Sequence, residues 1–172
     1  MCIRDRREFC ARLISQIITT YGPTLTSLKP RIVKVYLNAL SDKTTFSTLF
    51  GAVIGLSELG TEVCESFVFP LVKSLGERIT QILDSTATSQ EKQPAEKVKQ
   101  QLVEIITSVL KSKAPLSADE FDYLTTEFGA YFGQLIHGDL MKYRSQKQTV
   151  AQAQVAAAIQ SSTNLRPNVF EN

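Results

Sequence analysis

The chain has 172 residues, 43% apolar and 21% charged, with 19 basic against 17 acidic side chains and a net charge of +2. A chain of this size buries roughly 70% of its extended-chain surface on folding, so it can build a core without a disulfide or a metal. Apolar runs such as Phe67-Val68-Phe69-Pro70-Leu71-Val72 fall far short of the ~20 residues that cross a bilayer, no apolar leader with a cleavage site follows the basic start, and so slight a positive excess does not by itself indicate nucleic-acid binding.

Most of the chain repeats at helical period, with strand-like alternation nearly absent. Phe9, Leu13, Ile14, Ile17, Ile18 and Tyr21 draw one stripe down a first helix, predicted to have a single buried face and to end at Gly22-Pro23. Lys29-Pro30 opens a second helix, since a proline in the first turn gives up an N–H that has no helical partner there. Its face is Ile32, Val33, Tyr36, Leu37 and Leu40. After the polar turn Ser41-Asp42-Lys43-Thr44, a third helix carries Phe46, Leu49, Phe50, Ala52, Val53, Leu56 and Leu59, closed by Gly60 as a left-handed cap. Gly51 and Gly55 lie inside it, each costing about 1 kcal/mol against alanine, and predict a neighbouring helix at close range on that face.

Thr61 caps the next helix, whose Val63, Cys64, Phe67 and Val68 run into Pro70. Proline removes a donor and clashes with the preceding turn, so a kink or a new helix start is expected there, with Leu71, Val72, Leu75, Ile79, Ile82 and Leu83 continuing. Residues 84–97 hold little worth burying and read as an exposed loop. Val98, Leu102, Val103, Ile105, Ile106, Val109 and Leu110 form a further helix ended by Ala114-Pro115, and Ser117-Ala118-Asp119-Glu120 has capping-box spacing. Phe121, Leu124, Phe128, Tyr131, Phe132, Leu135 and Ile136 then share one face of the most aromatic helix. Beyond Arg144 the chain turns to Gln, Ala, Ser and Thr, with some helix near Val150 to Ile159 and a mobile end. The fold class is therefore all-α, six or seven helices in antiparallel pairs as in a HEAT-like α-solenoid; a closed helical bundle is the alternative.

No constellation points to catalysis, and no cofactor is implied. Gly51-x-x-x-Gly55 and Gly55-x-x-x-x-Gly60 lack the strand and the Gly-Lys-Ser/Thr end of a phosphate loop and read as helix packing. His137 precedes Gly138 and reads as a capping residue at a helix end. Cys2, Cys10 and Cys64 form no C-x-x-C pair and lie far in sequence from the single histidine, against a disulfide framework and a zinc site alike. Cys64 reads as a small hydrophobe, and Asp119, Glu120 and Asp122 as charges suited to a helix N-terminus. The remaining candidates are basic: Arg31 and Lys34 three apart on one face, Lys43 in the next turn, and Arg6, Arg7 and Arg12 on the first helix. Such groups either form a solvated face or meet phosphates or an acidic partner.

One set of ordered motifs is more specific. Arg7-Glu8-Phe9-Cys10-Ala11-Arg12-Leu13-Ile14, Pro30-Arg31-Ile32-Val33-Lys34, Asp42-Lys43-Thr44, Phe50-Gly51-Ala52-Val53-Ile54-Gly55-Leu56-Ser57-Glu58-Leu59-Gly60, and Pro70-Leu71-Val72-Lys73 with Gly76-Glu77-Arg78 together resemble the C-terminal HEAT-repeat domain of transcription initiation factor TFIID subunit 6. The resemblance covers about half the chain; beyond residue 84 it is one of helical pattern alone. It implies a non-catalytic, nuclear scaffold whose partners are other subunits of TFIID and of SAGA-type coactivators, acting in RNA polymerase II initiation without a small-molecule substrate or a membrane. It also implies a fragment of a longer protein that carries a histone fold elsewhere. Residues 1–6 read as an extension outside the family, 7–145 as the HEAT domain and 146–172 as a tail. Phe9, Arg12, Gly51, Gly55, Gly60 and Pro70 are its structural motif positions, and Arg31, Lys34, Lys43 and Arg78 its candidate interface. Arg12 with Glu58, and Arg31 with Asp42, are candidate buried pairs. Homodimerisation and direct DNA contact stay open, a helical nucleic-acid-binding module being the alternative function.

Overall fold

A computed structural model describes residues 3–41, 43–86, 88–112 and 120–163. The described residues contain helices and turns and no strand, as the periodicity predicts: α1 (Ile3–Tyr21), α2 (Leu28–Ala39), α3 (Phe46–Glu58), the short α4 (Thr61–Val63), a π turn (Cys64–Val68), α5 (Phe69–Asp84), α6 (Ser89–Ser112) and α7 (Glu120–Thr163). The chain divides into two compact units, Met1–His137 and Gly138–Asn172.

In the first unit α3 is the centre, lying against α1, α2 and α6. Leu49, Phe50, Val53, Ile54 and Leu56 are all buried, so this helix is apolar nearly all round, the pattern of a helix with neighbours on every side. Thr45 caps it, its hydroxyl accepting from the Thr48 N–H at 3.3 Å. The two internal glycines serve different neighbours. A methyl at Gly55 would stand 2.7 Å from Cε2 of Tyr36 and nearer still to two other ring atoms, so α2 lays its tyrosine ring on the bare backbone of α3. Gly51 faces the Arg7 side chain of α1 at an ordinary 3.5 Å. The expected close approach on a shared face thus belongs to Gly55 alone.

Gly60 ends this region with φ 117° and ψ 163°, a positive-φ conformation that suits glycine but is extended in ψ rather than left-handed helical. The helix that follows restarts at Pro70. The Phe69 N–H donates to the Cys64 carbonyl five residues back, which makes the π turn. A π turn widens the backbone spiral locally, and it sits where the proline ring would otherwise press on the preceding turn. Pro70 then falls in the first turn of α5, where its missing N–H has no consequence.

The loop expected over 84–97 is much shorter, because α6 begins at Ser89 and carries Pro94 inside it. The segment has few large side chains, but Ala95 and Val98 are fully buried, and the Glu, Lys and Gln residues around them are good helix formers. Lys92 reaches back across the short connection and donates to the Leu83 carbonyl at 2.7 Å, satisfying an open carbonyl at the end of α5.

The aromatic face of α7 also differs from a straight helix. Gly129 has φ 81° and ψ 159°, which interrupts the helix. Leu124, Phe128, Phe132 and Ile136 are buried, while Phe121, Tyr131 and Leu135 remain exposed. The break brings Gly133 onto the turn before it: a methyl there would lie 2.7 Å from the Thr125 Cα. His137 lies within α7 rather than at a helix end, its ring edge-to-face with Phe121 at 5.3 Å. Ser117 and Asp119 of the expected capping box fall outside the described residues, as does Asp42. In the second unit, residues 138–163 are helical, with a Lys142–Asp139 pair at 3.3 Å and Ser145 and Thr149 hydroxyls bonded to carbonyls one turn back.

Candidate interaction surfaces

The first surface is the outer side of α1. Its inner side meets α3 through Ala11 and Ile18, both buried, and through the Ser15 hydroxyl, which donates to the Glu58 carbonyl at 2.7 Å. Arg12 adds an ion pair to the Glu58 carboxylate at 3.6 Å. The pair foreseen from sequence is therefore present but lies in solvent, with the Arg12 side chain 67% exposed. It links the middle of α1 to the end of α3 and adds little stability of its own. The single buried face expected for this helix is likewise corrected. Phe9, Leu13, Ile17 and Tyr21, four residues apart, are 58%, 44%, 39% and 55% exposed and form an apolar ridge pointing away from α3. Periodicity reports an apolar stripe and not its width, and here the stripe is wide enough for α3 to cover only one edge.

The basic residues divide into two kinds. Arg31, Lys34 and Lys43 are exposed at the surface of α2 and the turn after it. Arg78 is instead taken up inside the molecule. Its Nη2 donates to the Thr44 carbonyl, its guanidinium stacks 4.6 Å above the Phe46 ring, and its Nη1 is buried without a hydrogen-bond partner among the described residues. It ties α5 to the start of α3, the job of a planar cation that can stack and donate at once.

The third surface is a cleft of about 600 Å³ between α5 and the break in α7. Nothing in the periodicity marks it. Its walls depend on the interruption at Gly129 and on Gly76, whose missing side chain admits the Phe132 ring; a methyl there would lie 2.9 Å from Cδ2. Two glycines within otherwise helical stretches are the only signal the sequence offered.

Burial and close neighbours displace the ionisation of Cys64, Tyr36 and Lys99. Burial, with Glu65 adding to it, pushes the Cys64 thiol up to about 11, and its Sγ contacts the Leu56 carbonyl at 3.9 Å. Burial, with Cys10 beside it, also raises Tyr36. For Lys99, burial favours the neutral form, but Glu96 at 2.5 Å and Tyr131 outweigh it and hold the ammonium above its ordinary range. Among the described residues no three His, Cys, Asp or Glu side chains gather as metal ligands, and no helix is long and apolar enough to cross a membrane.

Residues 4–73 match the model of the TAF6 C-terminal HEAT repeat domain. Over 68 residues the chain is 40% identical to transcription initiation factor TFIID subunit 6 of Drosophila melanogaster and 34% identical to a Schizosaccharomyces pombe protein described as SAGA complex/transcription factor TFIID complex subunit Taf6. Each alignment covers 39% of this chain but only 11% and 15% of those relatives, so the chain corresponds to a small part of their length. Over residues 4–73 the comparisons agree with the resemblance read from the motifs, and the fold is all-α and HEAT-like; Gly76-Glu77-Arg78 lies beyond the match. The match begins at residue 4, within the six residues set apart in the sequence reading.

Proposed function

We infer that this chain is a non-catalytic scaffold segment of a transcription initiation factor subunit of the TFIID subunit 6 type, working in the nucleus through contacts with other subunits of TFIID and of SAGA-type coactivators. The observation that carries the reading is the match over residues 4–73 together with the two relatives named for those complexes. The open apolar ridge of α1 supports it, because large apolar side chains repeating along one exposed face suit contact with protein. Affinity purification of the tagged protein from nuclear extract, followed by mass spectrometry, tests it. Recovery of TFIID or SAGA subunits that is lost when residues 7–145 are deleted is the expected result, and recovery of neither set overturns it.

A second reading, a helical nucleic-acid-binding module, draws on the exposed Arg31, Lys34 and Lys43. It requires affinity for duplex DNA that falls steeply with salt as counterions are released. Absence of binding at low salt removes it.

A further inference from the structure

The cleft beside α5 is built from one face of that helix. Lys73, Gly76, Glu77, Thr80, Gln81 and Asp84 follow at alternating steps of three and one, so each lies three or four residues from a member of the next turn, the spacing that puts them on one face. The facing wall is the stretch across the break in α7, where Phe132 and Phe128 are fully buried beneath the surface and Tyr131 stands at the edge, 36% exposed. From Lys73 to Asp84 the row runs ~16 Å at 1.5 Å per residue, a length that about five residues of extended chain would match.

The charges along this row are ordered. Lys73 stands at the N-terminal end with its stem beside Gly129, at 3.4 Å from where a methyl on that glycine would lie. Glu77 follows, and Asp84 closes the other end at the C-terminus of α5, whose backbone dipole adds negative character. The ammonium nearest in sequence on the far side, Lys92, is committed to the Leu83 carbonyl, and Lys99 is committed to Glu96 and Tyr131. Lys73, Glu77 and Asp84 are exposed and make no ion pair among the described residues. The cleft therefore offers the exposed Tyr131 ring at its edge, a single cation at its N-terminal end, and two open carboxylates, Glu77 one turn from Lys73 and Asp84 two turns further on.

We propose that this cleft is a docking site for an extended peptide segment of a protein partner, carrying lysine or arginine toward the Asp84 end and an aliphatic or aromatic side chain against Tyr131. Charge complementarity selects this occupant. An acidic segment would meet the two carboxylates Glu77 and Asp84 against the one cation Lys73, and long basic side chains can lay apolar stems along Tyr131 and the face of α5 while their heads reach the carboxylates. The site rests on the scaffold reading only in expecting a protein partner.

The test uses the whole chain, immobilised, and a random twelve-residue peptide library displayed on phage. Enriched peptides are expected to share basic residues beside a large apolar one. The strongest, synthesised with a fluorescent label, should bind in anisotropy titrations and lose at least tenfold in affinity to the Glu77→Lys, Asp84→Lys double variant. Both positions are exposed, so circular dichroism and melting of the variant should match the parent. Amide shifts in nitrogen-15 spectra should be confined to residues 73–84 and 128–132. Failure of the library to enrich, equal binding by the charge-reversed variant, or shifts centred on α1 would each overturn the proposal. None of these results bears on co-purification with transcription subunits, which stands or falls separately.

Discussion

Tyr36 and Gly55 show how one missing side chain sets the distance between two helices. In an open helix Gly→Ala gains about 1 kcal/mol from propensity, but at position 55 the new methyl would collide with the Tyr36 ring. Overpacking costs typically 1–3 kcal/mol, so Gly55→Ala should lower stability, and Gly55→Leu should lower it further. In a Tyr36→Ala background the collision is gone and Gly55→Ala should become stabilising, a change of sign that a double-mutant cycle on denaturation midpoints would read. A midpoint unaffected by either glycine substitution would refute the close approach. Cys64 offers a second residue-scale measurement. Its thiol pKa is raised by burial and by Glu65 from 9.0 to about 11, so the folded state keeps the proton that the unfolded state gives up. The unfolded state thus binds fewer protons across that window, and stability present below pH 9 is lost as pH rises toward 11. The stability advantage of the parent over Cys64→Ala should shrink over the same window, as urea titrations at pH 8 and pH 10.5 would show.

At the scale of elements, the two ends of the α7 break call for glycine for different reasons. Gly129 has open space around it, with only the Lys73 stem at 3.4 Å, so Gly129→Ala meets backbone strain, ~1–3 kcal/mol. Gly133 has ordinary helical geometry but faces backbone atoms of Leu124 and Thr125, which cannot swing aside. Gly133→Ala should therefore cost at least as much, and a thermal melt showing the reverse order would indicate that the break is not held as described. These elements also mark where a sequence can be read and where it cannot. The helices of residues 9–83 follow from their apolar spacing, and Pro70 with Gly60 announces the restart between them. The break at Gly129 is hidden because Leu124, Phe128, Phe132 and Ile136 keep a four-residue step straight across it. The start of α6 is hidden because Ala95 is too small to stand out although it is fully buried.

For the molecule as a whole, the sequence singles out Phe9, Arg12 and Arg78 but not where the fold places them. Phe9 belongs to the open ridge, Arg12 links the middle of α1 to the end of α3 from solvent, and Arg78 is drawn inward, distinctions that depend on which neighbour arrives in three dimensions. The cleft was illegible because it is bounded by what two glycines lack. The central position of α3 has a kinetic consequence. A helix enclosed by α1, α2 and α6 cannot open one turn at a time without exposing the middle of the core, so its amides should exchange with deuterium only when the first unit unfolds globally. Amides of Val53 to Leu56 should be the slowest in the chain, with a common free energy of opening equal to that of global unfolding. Those at the start of α6 around Pro94 should exchange orders of magnitude sooner, through local fraying. The protein would then present to any partner a rigid central strut flanked by edges that breathe, with its adaptability confined to the surfaces where contacts are made.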